Sequence, residues 1–176
     1  IVLVYVDEFE FGLSNLLGIS GLIEVFVTIL LFDFIDYWWH RLNHNWSFLW
    51  RFHKVHHMDT FIDTTTALRF HVGELFISNL LKIIFIIAWG PSPWSFFISE
   101  ILITSFSQFH HSNIKIGEAL EKKLRCYIMT PFLHWGHHSF KDHSRNKNFS
   151  TTIIIWDKLF GTYHEPSPQD VEKIGI

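Results

Sequence analysis

Apolar residues fall into three long runs separated by polar segments rich in histidine. Residues 22–39 (LIEVFVTILLFDFIDYWW) form the first run, interrupted by Glu24, Asp33 and Asp36. Residues 72–89 form the second, with Glu74, Asn79 and Lys82 inside it. Residues 94–109 form the third, with Glu100 and Gln108. A helix of eighteen residues rises about 27 Å, close to the hydrocarbon thickness of a bilayer. Gly90-Pro91-Ser92-Pro93 breaks the second run from the third, because proline cannot continue a helix. The pattern predicts an all-α fold in which the last two runs form a helical hairpin that crosses a membrane and returns. Residues 1–20, with Gly12 and Gly18 around the acidic Asp7, Glu8 and Glu10, read as an interfacial or loop segment.

The runs also admit a soluble reading, as buried helices of an α-domain, which the acids and Lys82 favour. Their length, their recurrence and the aromatic residues at their ends (Tyr37, Trp38, Trp39, Trp89, Trp94) favour a membrane domain instead. Arg41, Arg51, Lys54, Lys115, Lys122, Lys123, Arg125, Lys141, Arg145 and Lys147 lie beyond the ends of the first and third runs. The positive-inside rule puts those ends on the cytoplasmic side. The expectation is one integral membrane domain over residues 1–176, with three spans beneath a cytoplasmic helical cap. The chain begins at Ile1 rather than Met, which is compatible with N-terminal truncation; no secretory signal with a cleavage site is visible.

Composition narrows the chemistry. Hydrophobic residues make up 48% and aromatics 18%, which suits a protein facing lipid. A formal charge of −3 suggests no nucleic-acid partner. The single cysteine, Cys126, excludes an internal disulfide and a cysteine-ligated iron–sulfur cluster. Any metal site must use nitrogen and oxygen ligands.

Histidine supplies the nitrogen. The chain has 13, and eight fall in three clusters: His40 and His44; His53, His56 and His57; His134, His137 and His138. Spacings of three and four put side chains on one helix face. Adjacent helix positions point about 100° apart, so each His-His pair suits two metals better than one. Eight imidazoles exceed the four to six or so ligands one ion takes. Pro131 should start a new helix before the third cluster. Asp36, one turn before His40, is a candidate to accept the other N–H of a metal-bound imidazole, or else a partner for Arg41. His71, opening the second run, is a further candidate ligand, or a cap. His110 and His111 close the third run, and His111 is favoured as the ligand. His143 and His164 read as isolated loop histidines outside the site.

Structural zinc usually takes four ligands and favours cysteine, which fits poorly here. No HExxH or GxSxG occurs, so a metalloprotease or serine hydrolase is not indicated. Spacing alone does not choose among iron, zinc, copper and nickel. Paired all-nitrogen sites at a membrane surface, beside spans able to hold a lipid tail, favour iron and oxidation of an unactivated C–H bond. The alternative is a non-oxygenase membrane metalloprotein, either a hydrolase or a metal-handling protein. It would need no reductant.

The residues from about Asp33 to Tyr163 resemble the fatty acid hydroxylase/sterol desaturase superfamily of membrane di-iron enzymes. The carrying segments are Asp36-Tyr37-Trp38-Trp39-His40 through His44, Leu49-Trp50-Arg51-Phe52-His53 through His57, Thr66 through His71, Phe109-His110-His111-Ser112-Asn113, Thr130-Pro131 through Ser139, Asn146-Lys147-Asn148-Phe149, and Ile155-Trp156-Asp157 through Thr162. The resemblance implies two Fe ions held by the clustered histidines, with Zn able to replace them on overexpression. It implies O2 as co-substrate and hydroxylation or desaturation of a lipid-like substrate drawn from the bilayer. It also implies a separate electron donor such as a cytochrome b5 or a ferredoxin, and the chain carries no nucleotide, haem or iron–sulfur motif of its own. Asn146, Asn148 and Asp157 are then candidates to bond to ligating histidines or to backbone. With Asp36, Asn148 and Asp157 complete the expected catalytic support. Met58, Val72, Trp135 and Ser150 depart from the family's usual residues without removing an expected ligand.

Overall fold

A computed structural model describes all residues 1–176. The fold is helical: α1 (Val2–Glu8), α2 (Leu13–Leu16), α3 (Gly21–Asn45), α4 (Ser47–His53), α5 (Val72–Trp89), α6 (Pro93–His111), α7 (Glu118–Leu124), α8 (Pro131–His137), α9 (Asp142–Arg145) and α10 (Ile155–Leu159). Single 3₁₀ turns occupy His56–Met58, Thr66–Leu68 and Pro168–Asp170. There are no strands, only isolated bridges between Ile128 and Ile153 and between Ser139 and Ile174. Residues 1–20, expected as an interfacial or loop segment, hold the two short helices α1 and α2 joined by turns.

The Gly/Pro break forms the hairpin between α5 and α6. Gly90 ends α5 in the left-handed conformation, at φ 75°. A Cβ there would also overlap the Phe11 carbonyl, so glycine is required twice over. Ser92 caps α6 by accepting from the Ser95 N–H, and Pro93 occupies the first turn. The buried Glu24 of α3 reaches this turn and accepts from the Ser92 N–H at 2.6 Å. Phe32, Phe85 and Trp89 form the core between α3 and the hairpin, and Phe96 of α6 packs edge-on to Phe32 at 5.8 Å. Trp89 Nε1 donates to Thr28 Oγ1 at 2.8 Å, which satisfies the one polar atom of that ring. A second core, Met129, Leu133 and Ile154, lies under α8.

The three expected spans are not equivalent. By length and composition, only α5 can cross a membrane alone. α3 meets the same test only together with the α1–α2 segment, from which it is bent by 82°. α6, which holds the third run, does not meet it. Ser95, Ser99, Glu100 and Gln108 dilute its apolar content. The acids of α3 have structural partners: Glu24 caps the hairpin, while Asp33 and Asp36 hold a distant loop. Large apolar side chains, among them Phe76 and Ile84 of α5 and Trp94 and Ile101 of α6, remain exposed on the outer faces.

Candidate metal centre

The histidine-bearing segments converge at one end of α3 and α6. α3 runs past its apolar stretch and presents His40 and His44 in its last two turns. α4 ends on His53, and the 3₁₀ turn that follows carries His56 and His57. A 3₁₀ turn has three residues per turn, so neighbouring side chains diverge by about 120°. Thr130 caps α8 and Pro131 begins it, which sets His134 and His137 inside the helix with His138 as its last, capping residue. His111 is the last residue of α6.

These nine rings sort into two groups. His40, His44, His53, His57 and His137 form one; His56, His111, His134 and His138 form the other. Within each group the candidate ligand atoms all lie within 4.8 Å of one another. The pairs His56-His57 and His137-His138 each send one ring to each group: His57 and His137 to the first, His56 and His138 to the second.

Hydrogen bonds on the far side of the rings fix the tautomers. His40 Nδ1 donates to the Phe149 carbonyl at 2.8 Å and His137 Nδ1 to the Lys147 carbonyl at 2.7 Å. His53 Nδ1 donates to Glu74 Oε1 at 2.7 Å, and His44 Nδ1 faces Asn146 Oδ1 at 3.3 Å. A carbonyl or carboxylate oxygen can only accept, so these Nδ1 atoms carry the proton and the Nε2 lone pairs point inward. The Nε2 atoms of His40, His44, His53 and His137 are buried with no partner, as are both nitrogens of His57.

In the second group His56 Nδ1 donates to the Thr66 carbonyl at 3.1 Å and His111 Nδ1 to the Ser107 carbonyl at 2.7 Å. Their Nε2 atoms face each other at 3.1 Å, and His134 Nε2 lies 2.9 Å from that of His111. Facing lone pairs repel, and two acceptors cannot bond. A cation between them removes the conflict. Imidazole nitrogens at right angles around one ion, at about 2.1 Å each, stand about 3 Å apart. Burial strips water from the imidazolium form, and neighbouring rings repel it. Both effects hold His56, His57, His134, His137 and His138 well below the usual histidine value. Neutral imidazole is the ligand form. Unpartnered, neutral, convergent nitrogens fit two divalent metals.

Two candidate ligands stand outside both groups. His71 is exposed and caps α5, its Nδ1 accepting from the Gly73 N–H at 2.9 Å. His110 is buried and its ring is 4.0 Å from that of His134, but its Nδ1 is 3.2 Å from the Thr151 carbonyl and it joins neither group. One turn of α6 aims His111 inward and leaves His110 against the loop.

Of the supporting residues, Asn148 and Asp157 take the backbone alternative, whereas Asp36 does not reach His40. Asp36 accepts from Thr151 Oγ1, and the acceptor for His40 is the Phe149 carbonyl instead. Asp157 is fully buried and accepts from the Phe149 and Ser150 N–H groups, both at 2.8 Å, and from Thr162 Oγ1 at 2.6 Å. Asn148, at φ 57°, donates to the carbonyls of Leu133 and His164. Asp33 accepts from the Thr152 N–H and from Trp156 Nε1. None of these four touches an imidazole. Together they hold loop 146–153, and that loop supplies acceptors to His40, His44, His110 and His137. Asn146 is the only one of its side chains to hydrogen-bond a ring, and the Phe149 ring packs against those of His40, His44 and His137. Glu74 was missed by the sequence reading. Its one signal there is a carboxylate in an otherwise apolar helix.

Beside the two groups lies a cavity of about 450 Å³ between α3, α5 and α6. His40, His53, His56, His111 and His134 line its base. Leu75 and Ile103 line its walls together with the polar Asp36, Ser78, Lys82 and Thr104.

With two polyhistidine groups beside a cavity between its helices, the chain has the features of a metal-binding protein. The sequence profile of the fatty acid hydroxylase family matches residues 25–162, and the chain belongs to that family. It is 32% identical over 155 residues to the ornithine lipid hydroxylase OlsE of Rhizobium tropici, covering 87% of this chain and 45% of that protein. It is 33% identical over 127 residues to the alkylglycerol monooxygenase of Danio rerio (72% of this chain, 27% of that one). It is 27% identical over 148 residues to human cholesterol 25-hydroxylase (82% and 52%). The chain thus spans about half or less of these relatives' own length. No solved structure matches it.

Proposed function

We propose that this chain is the metal-binding domain of an O2-dependent di-iron hydroxylase acting on a lipid. The observation that carries the reading is the pair of buried imidazole groups with unpartnered nitrogens at the base of the cavity. The names of the relatives, all hydroxylases or monooxygenases of lipids, favour hydroxylation over desaturation. His40, His44, His53, His57 and His137 would hold one iron, and His56, His111, His134 and His138 the other. Bound iron would supply the activation of O2 that attack on an unreactive C–H bond requires. The balance needs two electrons and two protons per turnover: one oxygen atom enters the C–H bond and the other leaves as water.

The chain's own residues do the rest. Glu74, Asn146 and the carbonyls of Lys147, Phe149, Thr66 and Ser107 orient the rings and keep the inward nitrogens free of protons. The cavity between α3, α5 and α6 takes an acyl or sterol-like chain, with Leu75 and Ile103 against it. Seven of the nine rings are buried and His40 and His44 half-buried, which would limit the access of bulk water to the centre. The exposed apolar faces of α5 and α6 support a setting in lipid for those helices, and the Lys and Arg residues beyond α3 and α6 support a cytoplasmic position for the histidines. Electrons come from a separate donor of cytochrome b5 or ferredoxin type.

The test is iron content and Mössbauer spectroscopy on detergent-purified protein from iron-enriched medium, then turnover of alkylglycerol, ornithine lipid and cholesterol with a chemical reductant. The expected result is close to two irons per chain, with hydroxylated product only when both O2 and reductant are present. One metal or none would overturn the reading. Reductant-independent turnover would replace it with a hydrolase.

A further inference from the structure

The last residues of the chain form a strap across the histidine-bearing segments. The Ile176 N–H donates to the His57 carbonyl at 3.1 Å and the Gly175 N–H to the His138 carbonyl at 3.0 Å. The Phe140 N–H donates to the Lys173 carbonyl at 3.0 Å. The Pro166 ring sits against Gly136, where any Cβ would overlap it. Arg125 pairs with Glu165 at 2.8 Å. Backbone carbonyls of both histidine groups are therefore engaged by residues 163–176.

Where the strap begins, three potential ligands from separate elements meet. His143 comes from α9, His164 from the residues after Thr162, and Asp170 from the 3₁₀ turn Pro168–Asp170. Their candidate ligand atoms all lie within 4.8 Å of one another. Asp170 is 3% exposed, and its Oδ2 accepts from the Ser167 N–H at 2.9 Å and from Ser167 Oγ at 2.8 Å, which fixes its orientation. His143 Nε2 is 3.1 Å from Asp170 Oδ1. His164 Nε2 lies 3.6 Å from Oδ2, is buried and has no hydrogen-bond partner. Lys141 Nζ, half-exposed, is the other cation here, at 3.3 Å from Oδ1, and its flexible stem lets it swing to solvent. None of these residues contacts the rings of the two larger groups through a side-chain hydrogen bond.

We propose that His143, His164 and Asp170 form a third metal site, distinct from the two histidine groups, which takes a divalent cation such as Zn2+ and fastens the strap. Two imidazoles and a carboxylate with an open position suit zinc, with water as fourth ligand. The His143 side chain is 62% exposed, so the site exchanges with solution while the larger groups stay enclosed. One of its ligands precedes the strap and two belong to it, so the ion cross-links residues 163–170 to α9.

Titration of the metal-loaded protein with Zn2+, followed by calorimetry, tests this, with hydrogen exchange of residues 163–176 measured in parallel. The expected result is one further equivalent bound at micromolar affinity, with exchange in the strap slowed. H143A and H164Q should each weaken that equivalent at least tenfold while leaving the tightly held metals in place. H143A removes an exposed side chain and is not expected to disturb folding. Binding of the same extra zinc by parent and H143A, or no extra zinc at all, would overturn the proposal and leave a hydrogen-bonded surface cluster. The outcome does not depend on turnover, so it stands apart from the hydroxylase reading.

Discussion

Glu74 shows how one side chain governs a metal ligand. Its carboxylate meets His53 Nδ1 at 2.7 Å in a buried setting, and both side chains are at most 5% exposed. The contact leaves His53 with a proton on Nδ1 and a lone pair on Nε2. Without the carboxylate the ring can rotate or change tautomer, and loss of such a partner typically costs about 10- to 100-fold in metal affinity. Glu74→Ala is therefore expected to lose metal that much more readily during dialysis against a chelator. Glu74→Gln keeps an accepting oxygen and should lose much less. Equal retention by Glu74→Ala and the parent would show that the contact does not orient the ring. His71 makes the complementary point. Its sequence position suits a ligand, yet its Nδ1 accepts a backbone N–H and its ring is exposed.

Among elements, loop 146–153 contributes most to the site for its size. It has no regular structure, and it delivers the Lys147, Phe149 and Thr151 carbonyls and the Asn146 side chain to four different histidines. Asp33, Asp36 and Asp157 hold it in place from α3 and α10. In Asp157→Asn, one oxygen is replaced by an NH₂ that cannot accept from the Ser150 or Phe149 N–H. Leaving a buried donor unpaired costs about 1–3 kcal/mol. The expected phenotype is a lower melting temperature with metal lost first from the first group, whose His40 and His137 depend on this loop. Metal content and thermal unfolding unchanged from the parent would refute that role. The acids of α3 also lower its hydropathy, and in the fold they bond to the hairpin turn and to this loop.

For the whole molecule, orientation is the open expectation, and Cys126 is the handle. It is the only cysteine and it is exposed, just beyond α7 and near the histidine end. A membrane-impermeant maleimide should label it in inverted vesicles or lysed cells and leave it unlabelled in intact cells. Labelling in intact cells would place the histidine groups on the outer side and reverse the proposed topology. The contrast among α3, α5 and α6 belongs to this scale too. α5 qualifies as a span by itself, whereas α3 and α6 pack against each other and carry buried polar residues, Glu24, Thr28, Ser95 and Ser99 among them. Exposed apolar residues such as Phe76 and Trp94 remain on the outer surfaces.

The sequence determined what local rules control. Apolar period and length fixed three long helices, Gly90 and Pro93 fixed the hairpin, and Pro131 fixed the start of α8. The spacing of four kept His40 with His44, His53 with His57 and His134 with His138, and the pairs His56-His57 and His137-His138 foreshadowed two groups because adjacent positions diverge. Which segments combine to build each group was decided only by tertiary packing. So were the separation of His111 from His110, the capping role of His71, and the meeting of His143, His164 and Asp170. Every acceptor that orients the first group comes from a residue 10 to 109 positions away in the chain. Helical periodicity sets direction over a turn or two and carries no information across such separations. The packing of α3 against α6 and the anchoring of loop 146–153 by buried aspartates bring those partners together.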